Sequence, residues 1–130
     1  MTIGIKGAKE IIVTDDLTAR CYASGALDVY ATPAMIALIE DTAFNSVADI
    51  LEEGQGTVGT NVNVSHLAAT PVGMKVRCET ELVEVDRKRL VFRVAVFDEV
   101  DKIGEGTHER FIIDNEKFLN KVYSKGGDRE

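Results

Sequence analysis

Cysteine and histidine are scarce in this chain, with two of each among 130 residues. Cys21 and Cys78 show no metal-ligand spacing, and two histidines without a cysteine cluster are too few of the usual zinc ligands. No metal site and no resident cofactor are expected. The two cysteines read as reduced thiols of a cytoplasmic protein. Proline is as rare, at Pro33 and Pro71, and no stretch rich in Pro, Gly or Ser marks a linker. No apolar run approaches the roughly 18–20 residues that span a membrane. The opening MTIGIKGAKE has no apolar core of a signal peptide. Positive charge is in deficit: 15 Lys and Arg against 22 Asp and Glu give a net charge of -7. That argues against a general nucleic-acid partner, although one local basic patch could still meet an anionic ligand.

What is present fits one globular domain, 1–130. The hydrophobic fraction is 45% and the charged fraction 28%, and this length can bury a core without disulfides or metals. Ile11–Val13 and Leu17–Tyr22 read as short extended pieces around a break at Thr14–Asp16, followed by a loop over Ser24–Tyr30. The clearest helix is Pro33–Leu51. Thr32 is a good N-cap, Pro33 suits the first turn, and Gly54 follows as a stop. Its expected apolar stripe is Ile36, Ile39, Ala43, Phe44, Val47, Ile50 and Leu51. Downstream the alternation is that of strands: Thr57–Leu67, Met74–Val85, Arg89–Phe97 and Ile103–Ile113, then a short helix over Asn115–Tyr123. A long helix followed by antiparallel strands predicts an α+β domain, with a meander packed on the helix. With a leading strand, that order suits a hot-dog fold.

Several residues sit where chemistry could use them. Glu40 falls within the expected apolar stripe, where a carboxylate is costly unless paired; the alternative is a stripe-edge residue reaching solvent. Asp41, about 100° further round the helix, should be solvated. His66 shares the apolar side of its strand with Val62 and Val64. It is either a core histidine bonded to backbone or hydroxyl, or an acid–base or orienting group. Thr32 is explained by capping alone, and a functional role stays open. Gly59 and Thr60 begin the His66 strand; a glycine there marks a bulge, a close approach to a ligand, or only the start of the strand. His108 alternates with Gly104, Gly106 and Arg110 and reads as a structural or surface histidine. Lys75, Arg77, Arg87, Lys88, Arg89 and Arg93 form the best basic patch. They are either a solvated strand edge or contacts for a phosphate-rich ligand.

Taken together, the ATPAM helix start, Glu40, GTNVNVSHLAATPVG, and the GTHER and EKF segments resemble the fluoroacetyl-CoA-specific thioesterase-like family of hot-dog proteins. The similarity runs from about Tyr30 to Tyr123, with four short strings in order at matching spacing. The resemblance implies hydrolysis of an acyl-CoA by a homodimer or a dimer of dimers. It implies catalytic roles for Thr32, Glu40 and His66, and places Gly59 near the thioester carbonyl. Ala23–Tyr30 lacks the longer aromatic- and proline-rich lid of the fluoroacetyl-specific enzyme, so the acyl group stays open. On this reading Thr60, Arg87 and Arg89 join Gly59 as substrate contacts, with the arginines on the nucleotide phosphates. The alternatives are a hot-dog hydratase or dehydratase, for which Asn61 stands where an acid is usual, and a non-catalytic acyl-CoA-binding module. Thr32 and Glu40 lie eight residues apart, about 12 Å along a helix. They can share a site only if Thr32 precedes the helix or if the site spans two subunits.

Overall fold

A computed structural model describes residues 1–127. The first strand, β1 (Lys6–Ile12), precedes a single 3-10 turn at Asp15–Leu17. The extended piece expected over Leu17–Tyr22 is therefore mostly turn. Thr18 folds back instead, its hydroxyl donating to the Asp15 carbonyl at 2.9 Å, and the Tyr22 amide donates to the Thr18 carbonyl. Short polar side chains competing for nearby backbone in this way favour turns over strands.

The helix α1 spans Thr32–Ala48, with Ala31 at the N-cap and no side chain capping it. Thr32 is thus already helical, and the capping role expected of it is not observed. Pro33 lies in the first turn, where its missing amide costs nothing. The buried face is Ala34, Met35, Leu38, Ile39, Thr42, Ala43 and Val47. It is rotated from the expected stripe: Phe44 and Ile50 are 42% and 49% exposed. Glu40 follows Ile39 by one residue, so it sits at the edge of this face and not within it.

Four strands follow: β2 (Gln55–His66), β3 (Lys75–Asp86), β4 (Arg89–Phe97) and β5 (Lys102–Asp114). The helix α2 (Asn115–Ser124) ends the described chain. All pairings are antiparallel, in the order β1-β3-β4-β5-β2. Only β3, β4 and β5 form the expected meander. β2 leaves it and pairs with β5, and Leu67–Met74 carries the chain back across the sheet to β3. That connection is pinned where the Tyr30 amide donates to the Thr70 carbonyl and the Thr70 hydroxyl donates to Asp98 at 2.8 Å. β2 and β1 are therefore the two edges.

One face of the sheet is apolar because alternate residues point the same way. Val76, Cys78, Leu82, Leu90, Phe92, Val94 and Val96 pack beneath Met35, Leu38, Ile39 and Ala43. Burying each of the larger side chains contributes about 1.5–3 kcal/mol. Burial also pushes the Cys78 thiol up to about 11, which makes it a packing residue at neutral pH. Gly104 lets α1 approach closely: a Cβ there would lie 2.8 Å from Met35 Sδ. Two rows of paired residues fix the ends of the sheet. His66, Gly104, Val96 and Cys78 lie across one end, and Gly59, Arg110, Leu90 and Val85 across the other. No helix among the described residues is long and apolar enough to cross a membrane.

Candidate active site

The first cluster of candidate residues lies where α1 begins. Tertiary packing carries the start of the helix against the end of β2, and Thr32 Oγ1 shares a 2.7 Å hydrogen bond with His66 Nδ1. The imidazole stands edge-on to Tyr30, with ring centroids 6.4 Å apart. His66 Nε2 is buried with no hydrogen-bond partner. Burial holds the imidazole below its ordinary value, and the nearby Ala68 backbone offsets part of that shift. A neutral imidazole with one nitrogen committed to a hydroxyl and the other free can accept or pass a proton. His66 therefore faces inward to meet Thr32.

The second cluster lies further along α1, at the other end of β2. Glu40 Oε2 is 3.8 Å from Arg110 Nη1. At that distance the two groups interact as charges and do not share a hydrogen bond. The side chains differ in exposure, 43% for Glu40 and 7% for Arg110. The carboxylate thus keeps its lone pairs available. Gly59 lies directly beneath it: a Cβ there would come 2.9 Å from Glu40 Oε2 and 3.3 Å from His108 Cε1. The register of β2 against β5 shifts between Gly59 and Asn61, so Gly59 sits at a bulge with Thr60 as the extra residue. The Thr60 hydroxyl donates to the Glu109 carbonyl at 3.2 Å. The bulge expected as one reading of Gly59 is thus observed, and the group that its missing side chain admits is the Glu40 carboxylate.

Arg110 and His108 are the residues whose importance the sequence concealed. Alternation put both on one face of β5, yet no partner was evident for either. The partner of Arg110 is Glu40, seventy residues earlier in the chain, and His108 is held by the Asn61 carbonyl and by Arg110 itself. Arg110 Nε donates to Thr57 Oγ1 at 2.8 Å, Nη2 to the Thr57 carbonyl at 3.0 Å, and Nη1 to His108 Nε2 at 3.2 Å. Its guanidinium also lies 5.6 Å from the centre of the Phe44 ring, within cation–π range. His108 is fully buried, which removes the surface alternative. An arginine sharing the inward face of β5 with His108 is the available signal, since a buried cation requires a carboxylate.

The basic patch is largely neutralised. Arg77 pairs with Glu79, Arg93 with Glu81, and Arg89 with both Glu84 and Glu109. Arg89 is thus held by two carboxylates of its own sheet. Arg87 occupies the β3–β4 turn, with φ of 58°, and is exposed. A concavity of about 760 Å³ is lined by Arg77, Glu79, Glu81, Arg93 and Glu105 among others; none of Thr32, Glu40, Gly59 or His66 lines it.

Within one chain the two clusters stay apart. Seven residues separate Gly59 from His66 on β2, about 23 Å at 3.3 Å per residue. Because Thr32 is helical, the rise to Glu40 is about 12 Å. Thr32 and His66 meet; Glu40, Gly59 and Arg110 meet; the three expected catalytic side chains do not converge within this chain.

The chain is similar to proteins of known family and structure. Residues 13–116 match the model of the fluoroacetyl-CoA-specific thioesterase family. A fluoroacetyl-CoA thioesterase of Streptantibioticus cattleyicolor is 46% identical over 98 residues, covering 75% of this chain and 70% of that protein. The solved structure of the fluoroacetyl-CoA thioesterase FlK superposes with a TM-score of 0.90 at 39% identity, covering 96% of this chain and 97% of that one. A hot-dog-like protein from Thermanaerovibrio acidaminovorans superposes with a TM-score of 0.90 at 22% identity, over 98% of this chain and 94% of that one, and speaks for the fold alone. The chain belongs to the fluoroacetyl-CoA-specific thioesterase family and is an acyl-CoA thioester hydrolase of hot-dog fold.

Proposed function

We propose that this protein hydrolyses a small or medium acyl-CoA in a site completed only by a homodimer. The observation that carries this reading is the division of the catalytic set into two halves at opposite ends of one edge strand. β2 presents an unpaired edge, which is a template for pairing with a second strand. Two copies of β2 paired antiparallel about a two-fold axis near Val62 and Asn63 would set Gly59 of one subunit opposite His66 of its partner. An isologous contact of this kind generates two equivalent sites. Each would combine Glu40, Gly59 and Arg110 of one subunit with Thr32 and His66 of the other.

In such a site the thioester carbonyl lies near the start of α1, where Pro33 has no amide but those of Thr32 and Ala34, which have no partner within the helix, would stabilise the developing oxyanion. Glu40 serves as the base that activates water or as the nucleophile. Its lack of a close hydrogen bond and its partial exposure leave it competent for either role. His66 moves a proton or steadies the reacting groups through Nε2, and Thr32 orients the ring through Nδ1. Gly59 and Thr60 offer the bulged backbone to the substrate. Arg87, exposed on its turn at the Glu40 end of the sheet, would meet the nucleotide phosphates. Arg89 contributes less, since two carboxylates already hold it.

The test is subunit mixing. Glu40→Ala and His66→Ala proteins are each assayed for CoA thiol release, then unfolded together, refolded as a mixture and assayed again. Random pairing makes half the dimers mixed, each with one intact site, so activity should return to about a quarter of wild type. No recovery in a mixture shown to exchange subunits would place the site within one chain. A parallel assay over acetyl-, fluoroacetyl-, medium-chain and aryl-CoA identifies the acyl group.

A further inference from the structure

His108 takes no part in the reading above, yet its two ring nitrogens are assigned by their partners. Nδ1 lies 2.8 Å from the Asn61 carbonyl. A carbonyl only accepts, so Nδ1 carries the proton. Nε2 lies 3.2 Å from Arg110 Nη1. A guanidinium only donates, so Nε2 must present its lone pair. The ring is thus neutral, in a single tautomer, and fully buried. Burial, with the Phe92 ring from β4 at 6.4 Å, and the Arg110 charge from β5 favour the neutral ring and outweigh the Asn61 carbonyl from β2, Glu40 from α1 and Glu109 from β5, which pull the other way.

From this geometry we infer that His108 is a positioning residue, which clamps the β2 bulge through Nδ1 and aims the Arg110 guanidinium at Glu40 through Nε2. Both ends of the clamp matter to the reaction. The Asn61 carbonyl is the first backbone group beyond the bulge that presents Gly59, so the Nδ1 bond fixes where that bulge lies. At the other end, Thr57 holds two edges of the guanidinium, and His108 holds one N–H of the nitrogen that faces Glu40. Without an acceptor at Nε2 that N–H would turn to the nearest free acceptor, the Glu40 carboxylate. The carboxylate would then be tied down instead of being steered from 3.8 Å. Misplacement of a reacting group by about an ångström costs on the order of 10²-fold in rate.

Two substitutions separate the two bonds. In His108→Gln the side-chain oxygen reaches the Nε2 position and still accepts from Arg110. In His108→Asn the side-chain amide reaches the Nδ1 position and still donates to the Asn61 carbonyl. Each variant keeps one end of the clamp, so both should lose kcat with little change in KM: on the order of 10- to 100-fold for His108→Asn, which frees the guanidinium, and a smaller loss of up to about tenfold for His108→Gln, which frees only the bulge. Equal losses in both variants, tracking equal falls in melting temperature, would make His108 a packing residue and overturn the inference. Nitrogen-15 spectra of the imidazole supply a readout independent of activity. A protonated Nδ1 with an unprotonated Nε2 through pH 6–8 supports the clamp, and protonation at Nε2 refutes it. The inference rests on Glu40 as the reacting carboxylate. A fully active Glu40→Gln protein would remove that reading, whereas the nitrogen spectra decide the state of His108 whatever Glu40 does.

Discussion

The two ends of β2 hold their functional side chains in contrasting ways. At the Glu40 end a buried arginine has three hydrogen bonds, one ring contact and one charge partner. At the Thr32 end a single hydroxyl–imidazole bond does the work, and the second ring nitrogen has no partner. The first arrangement is over-determined and places a charge; the second is sparse and leaves an atom free. A reacting carboxylate beside a buried cation needs its neighbours fixed, because small shifts change the field it feels. A group that must exchange protons needs one nitrogen uncommitted.

Predictions that break one end and spare the other sharpen this contrast. The largest effect is expected for Glu40→Ala, with a fall in kcat on the order of 10²–10⁴-fold in a thiol-release assay. His66→Ala should fall within the same range, and full activity in either variant removes that residue from the mechanism. Gly59→Ala comes next. Its new methyl would press on the Glu40 carboxylate at 2.9 Å, and a loss on the order of 10²-fold in kcat without loss of fold is expected. An unchanged rate would show that the bulge can yield. Thr32→Val, which keeps shape and removes the hydroxyl, should cost on the order of tenfold, because it affects orientation alone. Since Thr32 does not cap the helix, its melting temperature should stay near wild type.

Stability should also depend on pH, with a sign the structure sets. His66 and His108 both titrate below their unfolded value of 6.5, each chiefly through burial. The unfolded chain therefore binds more protons, and stability falls as pH drops below about 6.5. Thermal melts from pH 8 to pH 5 should show a decline that flattens in His108→Gln. An equally steep decline in that variant would assign the effect to other groups. The smallest effect is expected at the β3–β4 turn. Arg87→Ala should raise KM for acyl-CoA a few-fold at low salt, as for one exposed phosphate contact. An unchanged KM in the Arg87→Ala, Arg89→Ala double variant would remove the turn from substrate binding.

Much of this could be read in the sequence because it depends on short spacings. Alternation located β3, β4 and β5, and Thr32-Pro33 located the start of α1 to within a residue, while its end falls at Ala48, three residues before the expected Leu51. The string around His66 and the spacing from Thr32 to Glu40 carried the family. The face of α1 was harder to read. Apolar residues lie on more than one side of it, and which side is buried depends on where β1, β2 and β3 stand. Phe44 was assigned to the core for that reason, although it lies beside the Arg110 guanidinium.

The sequence by itself determined the α+β class, the order of most elements and the inward aim of His66, and left Gly59 open between a bulge, a close approach and a simple strand start. These follow from periodicity and from the conformational rules of single residues, which act over a few positions. Only the tertiary structure decided that β2 crosses to the far edge, that Thr32 bonds to His66 instead of capping its helix, and that Arg110 and His108 meet Glu40. Those outcomes bring together residues dozens of positions apart, where burial of the whole sheet outweighs local preference. The same packing left Thr32 with His66 at one end of an open edge, and Glu40 with Gly59 and Arg110 at the other.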